Sequence, residues 1–305
     1  MNIVMLSGGV GGARLARGLA RAPGVDLTVI VNVGDDDTDY GLAVSPDLDT
    51  VMYTIAGSES EAGFGLAYDS FAVMNRLEDF GINTAMRIGD RDIAAKLFRT
   101  IELHRGIPLS EITGRMAEVL SIEATILPAT DQSLRTEVLT ADSDWLSFRE
   151  YFVLRGHQDE VTDLRFAGAN HAAPAPGVIS AITNADAIVI GPSNPPLSIW
   201  PILAVAGISD AIMDRPRAIA VSPLIGGKAL KGPADRVLVS LGLPPGNEGV
   251  LAAYGGVINE LVIDQQDATD RGRLTALGAT VHVRNTRLGT MEASVNFAEW
   301  LIEVL

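Results

Sequence analysis

The chain opens on a short apolar run, Asn2 to Leu6, that passes directly into Ser7-Gly8-Gly9-Val10-Gly11-Gly12-Ala13-Arg14 and from there into a helical pattern. A strand that turns through glycines straight into a helix reads as the first unit of a parallel sheet wrapped by helices, because a parallel strand needs a crossover to reach its neighbour. The alternation recurs. Further strands are expected at Leu27 to Asn32, Ala187 to Gly191, Ala218 to Ser222, Glu260 to Asp264 and Thr280 to Val283. The first helix is expected over Arg14 to Ala22, with Leu15 and Leu19 on one face and a basic stripe of Arg14, Arg17 and Arg21 on another. The last helix sets Phe297, Leu301 and Leu305 in register for packing on the sheet. The expected fold class is α/β, a Rossmann-like three-layer parallel sheet forming one domain over residues 1–305.

The middle breaks this rhythm. From Asp49 to about Ser121 helical patterns run consecutively; strand-like pieces follow around Ile126 and Val138, then a helix over Trp145 to Tyr151. Residues 50–170 are therefore expected as a mainly helical insertion covering the carboxyl edge of the sheet, with the Ala- and Pro-rich Asn170 to Gly177 as the return linker. A chain of 305 residues, 47% apolar, is long enough for such a core. Its net charge of -15 argues against nucleic acid, which demands a basic face. With no cysteine, disulfides, thiolate metal sites and cysteine nucleophiles are excluded. No export signal is expected from the opening residues, and the longest apolar stretch, Leu197 to Ile208, is too short for a membrane span and holds Pro201. A cytoplasmic location is expected.

Several loops carry chemistry. Glycines after the first strand let backbone N–H groups approach a phosphate at the helix N-terminus. The pattern is not the dinucleotide fingerprint, since Arg14 stands where its third glycine belongs, nor a P-loop, since no Gly-Lys-Ser/Thr follows. The second strand ends at Asn32 and leads into Gly34-Asp35-Asp36-Asp37-Thr38-Asp39, which reads either as Mg²⁺ ligands or as a solvated acidic loop. In Ser45-Pro46-Asp47-Leu48-Asp49-Thr50-Val51 one aspartate caps a helix and the other is free to point into a site. Arg87-Ile88-Gly89-Asp90-Arg91-Asp92 offers guanidinium groups to a phosphate or planar ring, or is a salt-bridged helix start capped by Asp90. Gly191-Pro192-Ser193-Asn194-Pro195-Pro196 and Ser222-Pro223-Leu224-Ile225-Gly226-Gly227-Lys228 close two strands at the edge where such sheets bind ligands. In the second, the glycines suit an anion nest with Lys228 or Lys231 as its charge. His104, His157, His171 and His282 lack metal-ligand spacing, no Gly-x-Ser-x-Gly elbow is present, and Phe71, Met74 and Phe80 read as core.

Taken in order, these segments resemble one family, the 2-phospho-L-lactate transferases (CofD, or FbiA in actinobacteria) of coenzyme F-420 biosynthesis. The resemblance rests on Gly8 to Arg14, Asn32 with Asp35-Asp36, Ser45 to Val51, Gly89 to Asp92, Ile126-Leu127-Pro128-Ala129, Gly191 to Pro195 and Ser222 to Ile225. It weakens over the last sixty residues, where the family's usual Asp-Thr-Leu-Met is replaced by Asn285-Thr286-Arg287-Leu288.

The resemblance implies a Mg²⁺-dependent transferase. A guanosine-diphosphate-activated hydroxy acid (phospholactyl, phosphoenolpyruvyl or phosphoglyceryl) would pass its acid-bearing phosphoryl group to the ribityl hydroxyl of the deazaflavin Fo. Fo is 7,8-didemethyl-8-hydroxy-5-deazariboflavin, and GMP would be released. On that reading Gly9, Gly11, Gly12, Ser193, Asn194, Gly227 and Lys228 hold the guanosine diphosphate portion. Asp35 and Asp49 bind the metal, Asp49 also orienting the attacking hydroxyl or acting as base, while Arg87 and Arg91 contact the deazaflavin or the transferred phosphate. A homodimer is what the likeness suggests. The competing reading is a nucleotide-sugar-binding regulatory protein of the gluconeogenesis-factor (YvcK-like) type. That group carries Gly-Gly-Ser-Ser after the acidic pair, where this chain has Asp37-Thr38-Asp39-Tyr40.

Overall fold

In the computed structural model, which describes residues 1–142 and 145–305, seven strands form one parallel sheet. In chain order they are β1 (Asn2–Ser7), β2 (Asp26–Val31), β3 (Thr125–Pro128), β4 (Ala187–Ile190), β5 (Ala218–Val221), β6 (Glu260–Asp264) and β7 (Thr280–Arg284). Across the sheet they lie β7-β6-β5-β4-β1-β2-β3. Every pairing is parallel, with Ile3 opposite Leu27 on one side and Ala187 on the other. Strands β4, β5 and β6 are buried along their whole length. Burial on both faces is why they read as unbroken apolar runs rather than as alternating ones.

The six strands expected from the sequence are present to within two residues. The seventh, β3, comes from inside the 50–170 segment: Thr28 lies opposite Thr125, so Thr125–Pro128 extends the main sheet at the edge beside β2. The rest of that segment supplies α2 (Pro46–Ala56), α3 (Ala72–Asp79), α4 (Asp90–His104) and α5 (Leu109–Val119). A three-stranded antiparallel ribbon of Arg135–Thr140, Trp145–Ser147 and Val161–Ala167 follows. The ribbon closes over its own small core of Val138, Leu146, Tyr151, Val161, Leu197 and Val237. The helix expected over Trp145 to Tyr151 is instead a strand followed by the π-helical turn Glu150–Leu154. Leu146 pairs opposite Val138 and is buried there, and that pairing overrides the local helical pattern.

The first helix, α1 (Gly9–Leu19), begins five residues earlier than expected, so the glycines form its first turn rather than a loop before it. It lies between α2 and the final helix, Met291–Val304. A Cβ on Gly18 would run into the Ser294 carbonyl oxygen, so glycine there sets how closely the two helices approach. Arg17 is buried at this joint, paired with Glu59 at 2.6 Å and donating to Ser294 Oγ at 2.9 Å; Arg21 donates to the Ile55 carbonyl. The basic stripe is thus largely a set of internal ties. Of the aromatic and Met positions expected in the core, Met74 is buried while Phe71 and Phe80 lie on the surface. Among the described residues no helix is long and apolar enough to cross a membrane.

The strand order places the site. The chain moves from β1 outward to β2 and β3, then returns to lay β4 on the other side of β1. The crevice between β1 and β4 is therefore the point where the winding reverses, and in open α/β sheets ligands bind outside the carboxyl ends of the strands at that point.

Candidate active site

The turn after β1 and the turn after β4 meet at this switch point with almost no space between them. A Cβ on Gly11 would collide with the Pro192 carbonyl oxygen, and one on Gly12 would lie 2.7 Å from Ser193 Oγ and closer still to Ser7 Oγ. A Cβ on Gly8 would lie 2.6 Å from Asp47 Oδ2 and from Ser198 Cβ. These glycines let α1 start flush against the β4 loop. Gly9 alone of the four has a left-handed backbone, at φ 62°. The Gly8 N–H donates to Ser193 Oγ at 3.1 Å and the Gly9 N–H to Asp47 Oδ1 at 2.6 Å. A carboxylate thus occupies the helix end, where first-turn N–H groups and the helix dipole favour negative charge. Asn194 belongs to the same turn and caps Pro195–Ile199 by accepting from the Leu197 N–H at 3.3 Å.

Asp47 links this turn to the acidic loop after β2. The Asn32 amide donates to Asp47 Oδ2 at 3.0 Å and to Asp35 Oδ1 at 3.1 Å, while its carbonyl accepts from the Gly34 N–H at 2.7 Å. The loop is pinned from outside as well, since the Thr136 N–H of the ribbon donates to the Gly34 carbonyl at 2.6 Å. Asp36 accepts from the Ser45 hydroxyl at 2.8 Å through one oxygen; its other oxygen, Oδ1, is buried with no hydrogen-bond partner. Burial pushes all three carboxyls up: Asp36 to about 7, Asp47 to about 6 despite its bonds to Asn32 and Gly9, and Asp35 well above the carboxylate range, helped by its acidic neighbours Asp47 and Asp36. Ionised together, these groups call for a cation. An orphaned carboxylate oxygen beside two further carboxylates is a set of hard oxygen donors that suits Mg²⁺. Among the described residues no group of three or more Asp, Glu or His side chains is set to hold a metal ion by itself. An open arrangement of this kind is usual for Mg²⁺, which takes one or two carboxylates and completes its shell with phosphate and water.

Asp49 sits two residues further along α2 in a different environment. Burial alone would raise its pKa, but Arg99 and Lys96 outweigh that and hold it below the usual carboxylate range. Arg99 reaches both of its oxygens, and Lys96 Nζ lies 3.3 Å from Oδ2. Lys96 also pairs with Asp92 at 2.6 Å, and Asp92 accepts from the Tyr53 hydroxyl at 2.9 Å. With each oxygen already against a cation, Asp49 is a poor position for Mg²⁺ or for a proton acceptor; the fit passes to Asp35, Asp36 and Asp47. This network is carried by a reversed helix. On α4 the charged residues Asp92, Lys96, Arg99 and Glu102 face inward, while Leu97 and Ile101 face out. Spacings of three and four residues mark these charges as one helical face, a signal present in the sequence itself.

The remaining expected residues are placed less directly. Arg87 and Arg91 are exposed: Arg87 donates to Asn75 Oδ1 at 2.6 Å and lies over the Phe71 ring, and Arg91 reaches the Ala67 carbonyl at 3.2 Å. Asp90 does not cap its own helix. It accepts from the Ala72 and Val73 N–H groups at the start of α3, while Asp69 caps α4 through the Arg91 and Asp92 N–H groups. The segment thus exchanges caps between two helices, and α4 reaches the site through Lys96 and Arg99 rather than through Arg91. Gly226 and Gly227 do form a nest, both left-handed, but the chain's own Asp267 fills it, accepting from the Gly226 N–H at 3.0 Å. Lys228 is exposed on a groove of about 650 Å³ shared with Tyr151, Asp235 and Arg236. The four histidines bind no common centre; His282 pairs with Glu260 at 2.7 Å.

Comparison with known proteins places this geometry among relatives. The profile of the family described as 2-phospho-L-lactate transferase CofD matches residues 3–291. A 2-phospho-L-lactate transferase of Methanococcus maripaludis is 34% identical, over 99% of this chain and 98% of the relative. One from Methanopyrus kandleri is 39% identical over 88% and 87%, and a phosphoenolpyruvate transferase of Streptomyces griseus is 37% identical over 100% and 98%. Among solved structures, a UPF0052-family protein from Bacillus halodurans superposes with a TM-score of 0.67 at 19% identity, covering 99% of this chain and 98% of that one. That likeness speaks for the fold alone.

Proposed function

We propose, for a chain that belongs to the 2-phospho-L-lactate transferase (CofD) family, that it moves a phospholactyl-type group from a guanosine-diphosphate-activated acid to the ribityl hydroxyl of the deazaflavin Fo in coenzyme F-420 biosynthesis. The observation that carries this reading is Asp47 joining the Gly9 N–H at the start of α1 to Asn32 and, through it, to Asp35. Asp47 thereby brings oxygen donors for a cation to the helix end where the later first-turn N–H groups of α1 would meet a diphosphate.

In the reaction the hydroxyl oxygen bonds to the acid-bearing phosphorus and the phosphoanhydride bond breaks. Its electron pair leaves on the oxygen of GMP, and the hydroxyl proton is lost to a nearby carboxylate or to water. Such a displacement needs alignment and charge neutralisation more than a protein nucleophile. The first turn of α1 and the β4 loop, with Ser193 and Asn194, hold the diphosphate end. One or two of Asp35, Asp36 and Asp47 would hold Mg²⁺, which would neutralise charge on the diphosphate. Asp49, clamped by Arg99 and Lys96, fixes the first turn of α2 and with it Asp47, and the exposed Arg87 and Arg91 are the proposed contacts for the deazaflavin.

The relatives' names include both lactate and enolpyruvate types, so the test offers each activated acid. Purified protein is incubated with Fo, Mg²⁺ and the lactyl, enolpyruvyl or glyceryl donor, and products are read by mass. A new Fo phosphodiester with release of GMP supports the reading. Its absence with all three donors, in protein shown to be folded, removes it.

A further inference from the structure

Of the three arginines on and just after α1, two are committed: Arg17 to Glu59 and Ser294, Arg21 to the carbonyls of Arg17 and Ile55. Arg14 is half-buried and, among the described residues, makes no hydrogen bond or ion pair. Its surroundings sharpen the point. One turn earlier, Val10 is covered by the loop after α2, since a Cβ on Gly63 would lie 2.7 Å from Val10 Cγ1. Lys231 reaches that same loop from the other half of the chain, its Nζ 2.5 Å from the Ala62 carbonyl. Burial and then the positive charge of Arg14 lower the Lys231 pKa. Glu61, the nearest acid in the loop, is exposed and pairs with neither among the described residues. Two cations thus meet at one loop in a chain of net charge -15, and among the described residues neither is paired with a carboxylate, an arrangement that costs free energy until an anion enters it.

We propose that Arg14 and Lys231 form the subsite for the carboxylate of the transferred acid. The inference rests on the donor reading above and adds to it the direction in which the acid lies. Helical side chains lean toward the N-terminus, so Arg14 extends toward the end where the diphosphate sits. On the other flank of that end lie Asp35, Asp36 and Asp47, whose charge repels a second carboxylate. The Val10 and Arg14 flank is the one left to it. A guanidinium fork with an ammonium beside it is a fitting receptor for a planar carboxylate.

The test compares two non-transferring probes in the absence of Fo: guanosine diphosphate esterified at its terminal phosphate with lactate, and the corresponding ethyl ester, which lacks only the carboxylate. Wild type is expected to bind the lactyl ester about tenfold to a hundredfold more tightly, the range of a charge-assisted contact. Arg14→Gln and Lys231→Gln, on different elements, should each erase most of that difference, bind the ethyl ester as wild type does, and melt normally. Equal binding of both esters by wild type overturns the inference, as does a variant that weakens both alike, since the pair would then hold phosphate. A wild type that binds neither ester nor GDP removes the donor reading itself, and the subsite with it.

Discussion

Replacing Asp49 by Asn isolates what this residue does. The side chain is 6% exposed and faces Arg99 and Lys96, at 1% and 5%. The amide keeps the volume and a carbonyl acceptor but removes the charge. Lys96 keeps Asp92 at 2.6 Å, whereas Arg99 keeps only the Ala43 carbonyl at 3.4 Å and the Met116 sulfur at 3.8 Å. A buried guanidinium without its carboxylate costs about 3 to 5 kcal/mol, and the retained acceptor argues for the low end, about 3 kcal/mol. For a chain of 305 residues that is a fall in melting temperature of about 5 °C. Thermal unfolding by circular dichroism reads it directly. The paired replacement of Asp49 by Leu and Arg99 by Met should restore most of the loss, because an apolar pair of similar volume leaves no charge stranded. If Asp49→Asn melted within about 2 °C of wild type, an effect too small for a stranded buried charge, while losing nearly all turnover, the ion-pair account would be refuted and a direct chemical role restored.

Three further outcomes are expected. Without metal, the raised pKa values of Asp36 and Asp47 mean the folded state holds their protons more tightly than the unfolded chain. Their contribution is full below about pH 4 and is lost as pH rises through 6 to 7, so melting temperature should fall over that interval, and Mg²⁺ at pH 8 should recover it; a flat metal-free profile counts against the buried carboxylate cluster. Gly11→Ala drives a methyl into the Pro192 backbone and should destabilise by about 1 to 3 kcal/mol while weakening GDP binding, since α1 must move away from the β4 loop; unchanged binding by calorimetry would show that the close approach is incidental. Asp69→Ala removes the cap of α4 and should cost about 1 kcal/mol with GDP affinity untouched.

The sheet was legible because strands buried on both faces need apolar runs, and those runs are visible as such. The exception is β3: a strand-like piece is readable around Ile126, but at four residues ending in Pro128 its place in the main sheet shows only in its pairing with β2. At the site the place was readable but the reason was not. The glycines mark a strand-to-helix turn, yet Gly11 and Gly12 serve close approach to the β4 loop, which depends on a partner 180 residues away. Asp47 and Asp49 look equivalent in the sequence, and what separates them is that Lys96 and Arg99 face only one of them. The nest at Gly226-Gly227 was correctly shaped and already filled, because nothing local reports Asp267.

The position of β1 has a bearing on how the molecule is made. Its Ile3-Val4-Met5-Leu6 core is hydrogen-bonded on one side to β2, which emerges at once, and on the other to β4, which follows about 180 residues later. At ordinary synthesis rates the ribosome needs roughly 10 to 40 s to deliver that partner. Through this interval the most apolar edge of the nascent chain stands open to other chains. Conditions that slow elongation between β2 and β4 should therefore lower the yield of soluble product without altering the finished protein.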